Sequence, residues 1–169
     1  MSRSACPITL RPATPGDRFL IRRWLGEPEV EAAWGNKASA EAEIALAMES
    51  PSALCRVIES GGEAIGYGHA VDAGVWGDPL PPELPAGCWD VDLFVASAAH
   101  REGDCERQAL RELSDEVFGT TLAVACCHFV SVRNEGAVRA SERAGFRWLR
   151  IWQDPIFGPC WVLLKDRPR

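Results

Sequence analysis

Residues 88–118, CWDVDLFVASAAHREGDCERQALRELSDEVF, constrain the fold of this chain more than any other stretch. The first ten alternate in polarity as a strand does, and the last fifteen space their apolar residues as an amphipathic helix does. A polar turn, HREGD, joins them. A strand that turns directly into a helix aims the first helical N–H groups, which lack partners within the helix, at the space beyond the strand's end. In an α/β protein such a place can hold a phosphate, so the functional centre is expected here.

The flanks supply the rest of a sheet. Residues 8–12 read as a strand, and Thr14-Pro-Gly-Asp17 opens a helix with an N-cap, a proline at the first helical position and an acid in the first turn. Phe19, Leu20, Trp24 and Leu25 are expected on its buried face, before Gly26 and Pro28 start a short second helix and 38–48 a third. Residues 53–59 and 63–71 are strands joined by Ser60-Gly61-Gly62, an antiparallel hairpin. Residues 72–87 form a long loop rich in glycine and proline. The apolar run 122–130 fits a strand covered on both faces. A helix over 134–144, capped by Asn134 and closed by Gly145, precedes strands at 146–153 and 160–164. The order β, α, α, α, β, β, β, α, β, α, β, β places the chain in the α/β (α+β) class, and 169 residues suit a single domain.

Composition narrows the function. Hydrophobic residues make up 47%, yet no apolar run nears the roughly twenty residues that span a bilayer, so no membrane partner is expected. The first residues contain no apolar signal-like segment, and a cytoplasmic location is expected. Seven cysteines without CxxC pairs read as reduced, buried thiols rather than a disulfide framework or metal site. A net charge of −6 argues against nucleic acid and suits a cationic small molecule. His69, His100 and His128 are not spaced for a joint site, and His128, within an apolar strand, reads as a satisfied core residue. Monomer and homodimer both remain open.

The ITLRPAT start, the IGYG strand, the central strand and helix, and the closing NEGAVRASERAGF resemble the GNAT superfamily of N-acetyltransferases over essentially the whole chain. EAIGYGHAV, the long loop and WDVDLFVASA are most similar to the aminoglycoside 6'-N-acetyltransferase group. The resemblance implies a mixed, mostly antiparallel sheet, splayed between its fourth and fifth strands and flanked by helices. It also implies acetyl-CoA as co-substrate in the splay, and direct acetyl transfer to a primary amine of a small cationic substrate.

Site residues follow from the same resemblance. Asp92 matches an aspartate that binds the substrate ammonium or accepts its proton. Asp90 shares its face by the period of two and becomes a substrate-binding candidate; adjacent carboxylates raise one another's pKa. Backbone groups near Phe94 and Val95 are implied to hold the thioester and pantetheine arm. The turn containing His100, Arg101, Gly103, Asp104 and Cys105 replaces the family's glycine-rich phosphate turn. Asn134 and Ala137 border the cofactor arm, Asn134 serving equally as a plain N-cap. Ser141 stands where many relatives carry a tyrosine that protonates the leaving thiolate, and is the catalytic candidate there. Trp34 and Trp76 are expected to wall the acceptor site. A non-catalytic binding module, or an acyltransferase acting on proteins or siderophore precursors, remains an alternative.

Overall fold

The computed structural model describes residues 7–76, 79–101, 104–155 and 157–169. Its strands are β1 (Ile8–Pro12), β2 (Leu54–Ser60), β3 (Glu63–Asp72), β4 (Cys88–Val95), β5 (Ala125–Ser131), β6 (Arg147–Asp154) and β7 (Gly158–Asp166). Its helices are α1 (Arg18–Leu25), α2 (Pro28–Trp34), α3 (Lys37–Glu49), α4 (Ala98–Arg101), α5 (Cys105–Thr120) and α6 (Glu135–Arg143). The strands form one sheet ordered β1-β2-β3-β4-β5-β7-β6. Only the β4–β5 pairing is parallel among the described strands.

Two apolar layers cover the sheet. Val91, Leu93 and Val95 pack with Leu110, Leu113 and Val117 of α5 on one face. Phe94, Val57 and Tyr67 pack with Trp24, Trp34 and Ile44 of α1, α2 and α3 on the other. Alternation along β4 therefore turns Asp90 and Asp92 towards the α1–α3 side, as the sequence pattern predicts. At the β2–β3 hairpin Gly61 and Gly62 take φ values of 57° and 85°. Both central residues are thus left-handed, the conformation that a two-residue turn between twisted strands requires.

Boundaries shift where packing outweighs local pattern. A 3-10 turn, Pro15–Asp17, precedes α1, and the Asp17 carboxylate accepts from the Thr14 N–H at 2.8 Å. Phe19, expected on the buried face, is 77% exposed, because the stripe that faces the sheet runs through Ile21, Trp24 and Leu25. The strand expected over 122–130 starts at Ala125, where its ladder with β7 begins, and Leu122 is left exposed. His100 and Arg101, expected in a turn, belong to the short helix α4. Among the described residues no helix is long and apolar enough to cross a membrane.

Candidate active site

The site begins where a ladder stops. β4 and β5 pair only through Cys88, Trp89 and Asp90 with Ala125, Cys126 and Cys127. On its other edge β4 follows β3, with Ala96 N–H donating to Ile65 C=O at 2.7 Å and Ala73 N–H to Cys88 C=O at 3.0 Å. Even-numbered residues of β4 thus turn their backbone groups to β3, and Leu93 and Val95 turn theirs to the gap. Two side chains confirm that direction. Trp34 Nε1–H donates to Leu93 C=O at 3.3 Å, and Arg101 Nε–H to Val95 C=O at 3.2 Å.

The gap is a cleft of about 250 Å³ that gathers Phe94, Val95, Arg101, Asn134 and Ala137, with Asp92 at one end. Asn134 Oδ1 accepts from Ala137 N–H at 3.1 Å, so its capping role is present and its side chain still borders the cleft. Arg101 also donates to Ala96 C=O at 2.6 Å and lies 3.3 Å from Glu29, which commits its guanidinium to the end of β4.

A second cavity, of about 420 Å³, lies on the α1–α3 side and shares Trp34, Asp92, Phe129 and Ser131 with the first. It brings together Trp34, Trp76 and Asp90, and adds Glu43, Asp72 and Asp154. Among the described residues that line it stand five carboxyl groups and no lysine or arginine. Burial, reinforced by Asp92 and Glu43, pushes the Asp90 carboxyl well above its ordinary range and favours its protonated form. Glu43 is backed by His69 Nε2 at 3.5 Å, whose Nδ1 meets the Tyr67 hydroxyl at 3.0 Å.

Other expected residues do not gather at the cleft. His100 Nδ1 bonds with Ser97 Oγ at 2.8 Å, Asp104 Oδ1 accepts from Arg107 Nε–H at 2.6 Å, and the Cys105 side chain is buried in the core. None of the three lines either cavity. Gly103 lies outside the described residues. The first turn of α5 instead presents Glu106, whose carboxyl burial raises, with Asp92 adding to the shift and His128 opposing it. Ser141 is fully buried; its hydroxyl donates to Ala137 C=O at 2.7 Å and does not line the cleft.

Sequence reasoning passed over His128. The residue is buried, as expected, but its ring borders the cleft, with Nε2 3.4 Å from Asp92 Oδ1 and Nδ1 3.0 Å from Ser141 Oγ. The available signal was a polar residue in a strand covered on both faces, which must find partners from other elements.

A thioester-bearing arm needs a slot between strands, an amide donor along it and small residues opposite. The parted strands, the cleft-facing Val95 N–H, and Gly136 with Ala137 meet those needs, so the residues present fit acetyl-CoA. A family model described as the acetyltransferase (GNAT) domain matches residues 14–153. No curated protein sequence matches the chain. Among solved structures, AAC(6')-Ib in complex with paromomycin and acetyl-CoA is similar at 22% identity and TM-score 0.78, over 95% of this chain and 93% of that one. The aminoglycoside N-acetyltransferase AAC(6')-Ib11 is similar at 26% identity and TM-score 0.72, over 95% and 97%. Spermidine N-acetyltransferase from Vibrio cholerae, in complex with CoA and spermine, is similar at 14% identity and TM-score 0.73, over 95% of each chain. The family match spans the parted strands and the helices that frame them, and the chain therefore belongs to the GNAT acetyltransferases, N-acetyltransferases that use acetyl-CoA as co-substrate.

Proposed function

We propose that the chain acetylates a primary amine of a small polycation, with aminoglycosides the leading class. One observation carries this reading: an acidic cavity, with no basic residue among its described lining residues, opens onto the acetyl-CoA cleft at Asp92. Ammonium groups on a substrate would replace their water shells with Glu43, Asp72, Asp92 and Asp154, while Trp34, Trp76 and Trp152 offer flat apolar walls and cation–π surfaces. Similar structures support the class, since AAC(6')-Ib is seen with paromomycin. A polyamine is the second reading, supported by the similarity to a spermidine N-acetyltransferase seen with spermine.

Acetyl-CoA supplies an activated acetyl group whose carbonyl oxygen gains charge as the amine attacks. Val95 N–H faces the place where that oxygen would be held, and Asn134, Gly136 and Ala137 would border the arm. Asp92 anchors the ammonium at the mouth shared by the two cavities. The reading is tested by acetyl-CoA-dependent thiol release with kanamycin, paromomycin, spermine, spermidine and a neutral amide-capped control. Turnover with at least one polycation and none with the control is expected. Turnover independent of substrate charge, or none with any amine, would refute it.

A further inference from the structure

Ser141 has one hydroxyl proton, and it is given to Ala137 C=O at 2.7 Å. The same oxygen lies 3.0 Å from His128 Nδ1, so it must accept there, and Nδ1 must carry the hydrogen. In the neutral imidazole Nε2 is then a bare acceptor. It faces Asp92 Oδ1, another acceptor, 3.4 Å away and at the edge of the cleft. Asp92 Oδ1 also receives the Leu93 N–H at 2.9 Å, which holds the carboxylate in place. Two acceptors set side by side at the mouth of a cavity for cations form a receptor for an N–H donor.

The contact exists because β4 and β5 part. His128 shares its face of β5 with Cys126 and Val130, which belong to the α5 side of the sheet, whereas Asp92 belongs to the other side. In a continuous sheet they would be separated by the ladder. Phe146 packs edge-on against the imidazole at 6.2 Å between ring centres, so the ring is held from behind as well as through Ser141. The charged groups facing it are Asp92 from β4 and Glu106 from α5.

We propose that His128 is the base that takes the proton from the acceptor ammonium, with Asp92 as its anchor and Ser141 as the positioning residue that fixes the imidazole tautomer. This rests on the amine-acetylation reading above. One ammonium proton passes to Nε2 and from there to solvent. The freed lone pair forms the N–C bond as the C–S bond breaks with its electrons on sulfur. The second nitrogen proton neutralises the thiolate, leaving amide and thiol.

The test begins without any co-substrate, by long-range 1H–15N correlation NMR on the labelled full-length protein, with His128 assigned from its loss in His128→Gln. The neutral ring is expected as the Nδ1–H tautomer, and in Ser141→Ala that preference is expected to collapse; an Nε2–H tautomer in the wild type overturns the proposal. In kinetics with a turned-over polycation, His128→Gln is expected to lower kcat by about 10²–10⁴-fold, the range of general-base contributions. CoA affinity by calorimetry should stay within about threefold. Ser141→Ala should fall about tenfold, which keeps the test decisive if His128→Gln fails to fold. The acid limb of the kcat/KM profile should survive Glu106→Gln and be lost in His128→Gln. A limb that vanishes in Glu106→Gln, or unchanged kcat in both His128→Gln and Ser141→Ala, overturns the assignment. If the wild type acetylates no amine at all, the functional reading fails first and this proposal with it; if the wild type turns over and His128→Gln does so equally, this proposal alone fails.

Discussion

Asp92 is the residue on which the two cavities depend, because it is held by the Leu93 amide and faces both. Removing its charge while keeping its shape separates anchoring from packing. Asp92→Asn is expected to lower kcat/KM for a polycationic amine by about 10²-fold or more, the size of effect seen when a positioned proton-transfer or electrostatic group is lost, with unchanged circular dichroism. A different carboxylate governs stability. The Arg11 guanidinium donates to Asp17 at 2.9 and 2.8 Å and, with the Thr14 N–H, holds its carboxyl down at about 2. A folded-state pKa below the unfolded one stabilises the fold at pH values above the ordinary carboxylate range and loses that contribution as pH falls through about 2. Because Arg11 is partly exposed, the contribution is on the order of 1–2 kcal/mol. Thermal melts of Asp17→Asn should lie below wild type at pH 7 and converge with it near pH 2. Asp92 was legible through the family resemblance and Asp90 through the period of two that sets it on the same face, in a strand interior where aspartate is disfavoured. His128 was not legible, because its two partners come from β4 and α6 and only the parting of the strands brings them together.

At the scale of elements, the cleft is a consequence of β4 being held firmly on one edge and released on the other. Gly66 and Gly68 of β3 allow the firm edge: a Cβ on Gly66 would meet Phe94 O at 2.1 Å, and one on Gly68 would meet Leu93 Cβ at 2.9 Å. Gly66→Ala should therefore push β3 from β4 and destabilise the protein by about 1–3 kcal/mol, read as a lowered midpoint in urea. The start of α5 differs from what its sequence led one to expect. Asp104 is engaged by Arg107, which lowers its pKa and keeps an anion beside the first turn. Asp104→Ala is expected to tighten CoA binding severalfold at low salt, since it removes a like charge near a helix start and frees a guanidinium. Calorimetry with CoA checks this; weaker binding would mean that Asp104 supports the turn rather than opposing the ligand. Elements with strong periodicity, such as α5 and the β2–β3 hairpin, were readable from sequence. The ends of β5 and the helix α4 were not, because they are set by where ladders begin and by tertiary contacts rather than by residue pattern.

At the scale of the molecule, two helical layers on opposite faces of one sheet leave an opening where the parallel pair separates. The cleft proposed for the co-substrate forms in that opening, and the acidic cavity forms between α2, α3 and the long loop that follows β3. Under the proposed function, charge recognition is a property of the walls and chemistry a property of the shared mouth. Glu43, on a wall and backed by His69, should then affect binding more than turnover. Glu43→Gln is expected to raise KM for a polycation several-fold with kcat little changed, and to matter less for a monoamine. The central claim is that the amine bound in the acidic cavity receives its acetyl group at Asp92. Its most direct measurement is steady-state acetyl transfer to kanamycin and spermine by wild type and Asp92→Asn, with CoA affinity determined on both. Turnover by the wild type, a collapse of kcat/KM in the variant and equal CoA affinity are the predicted result. Equal turnover by the two proteins, or none by the wild type with either amine, would contradict it.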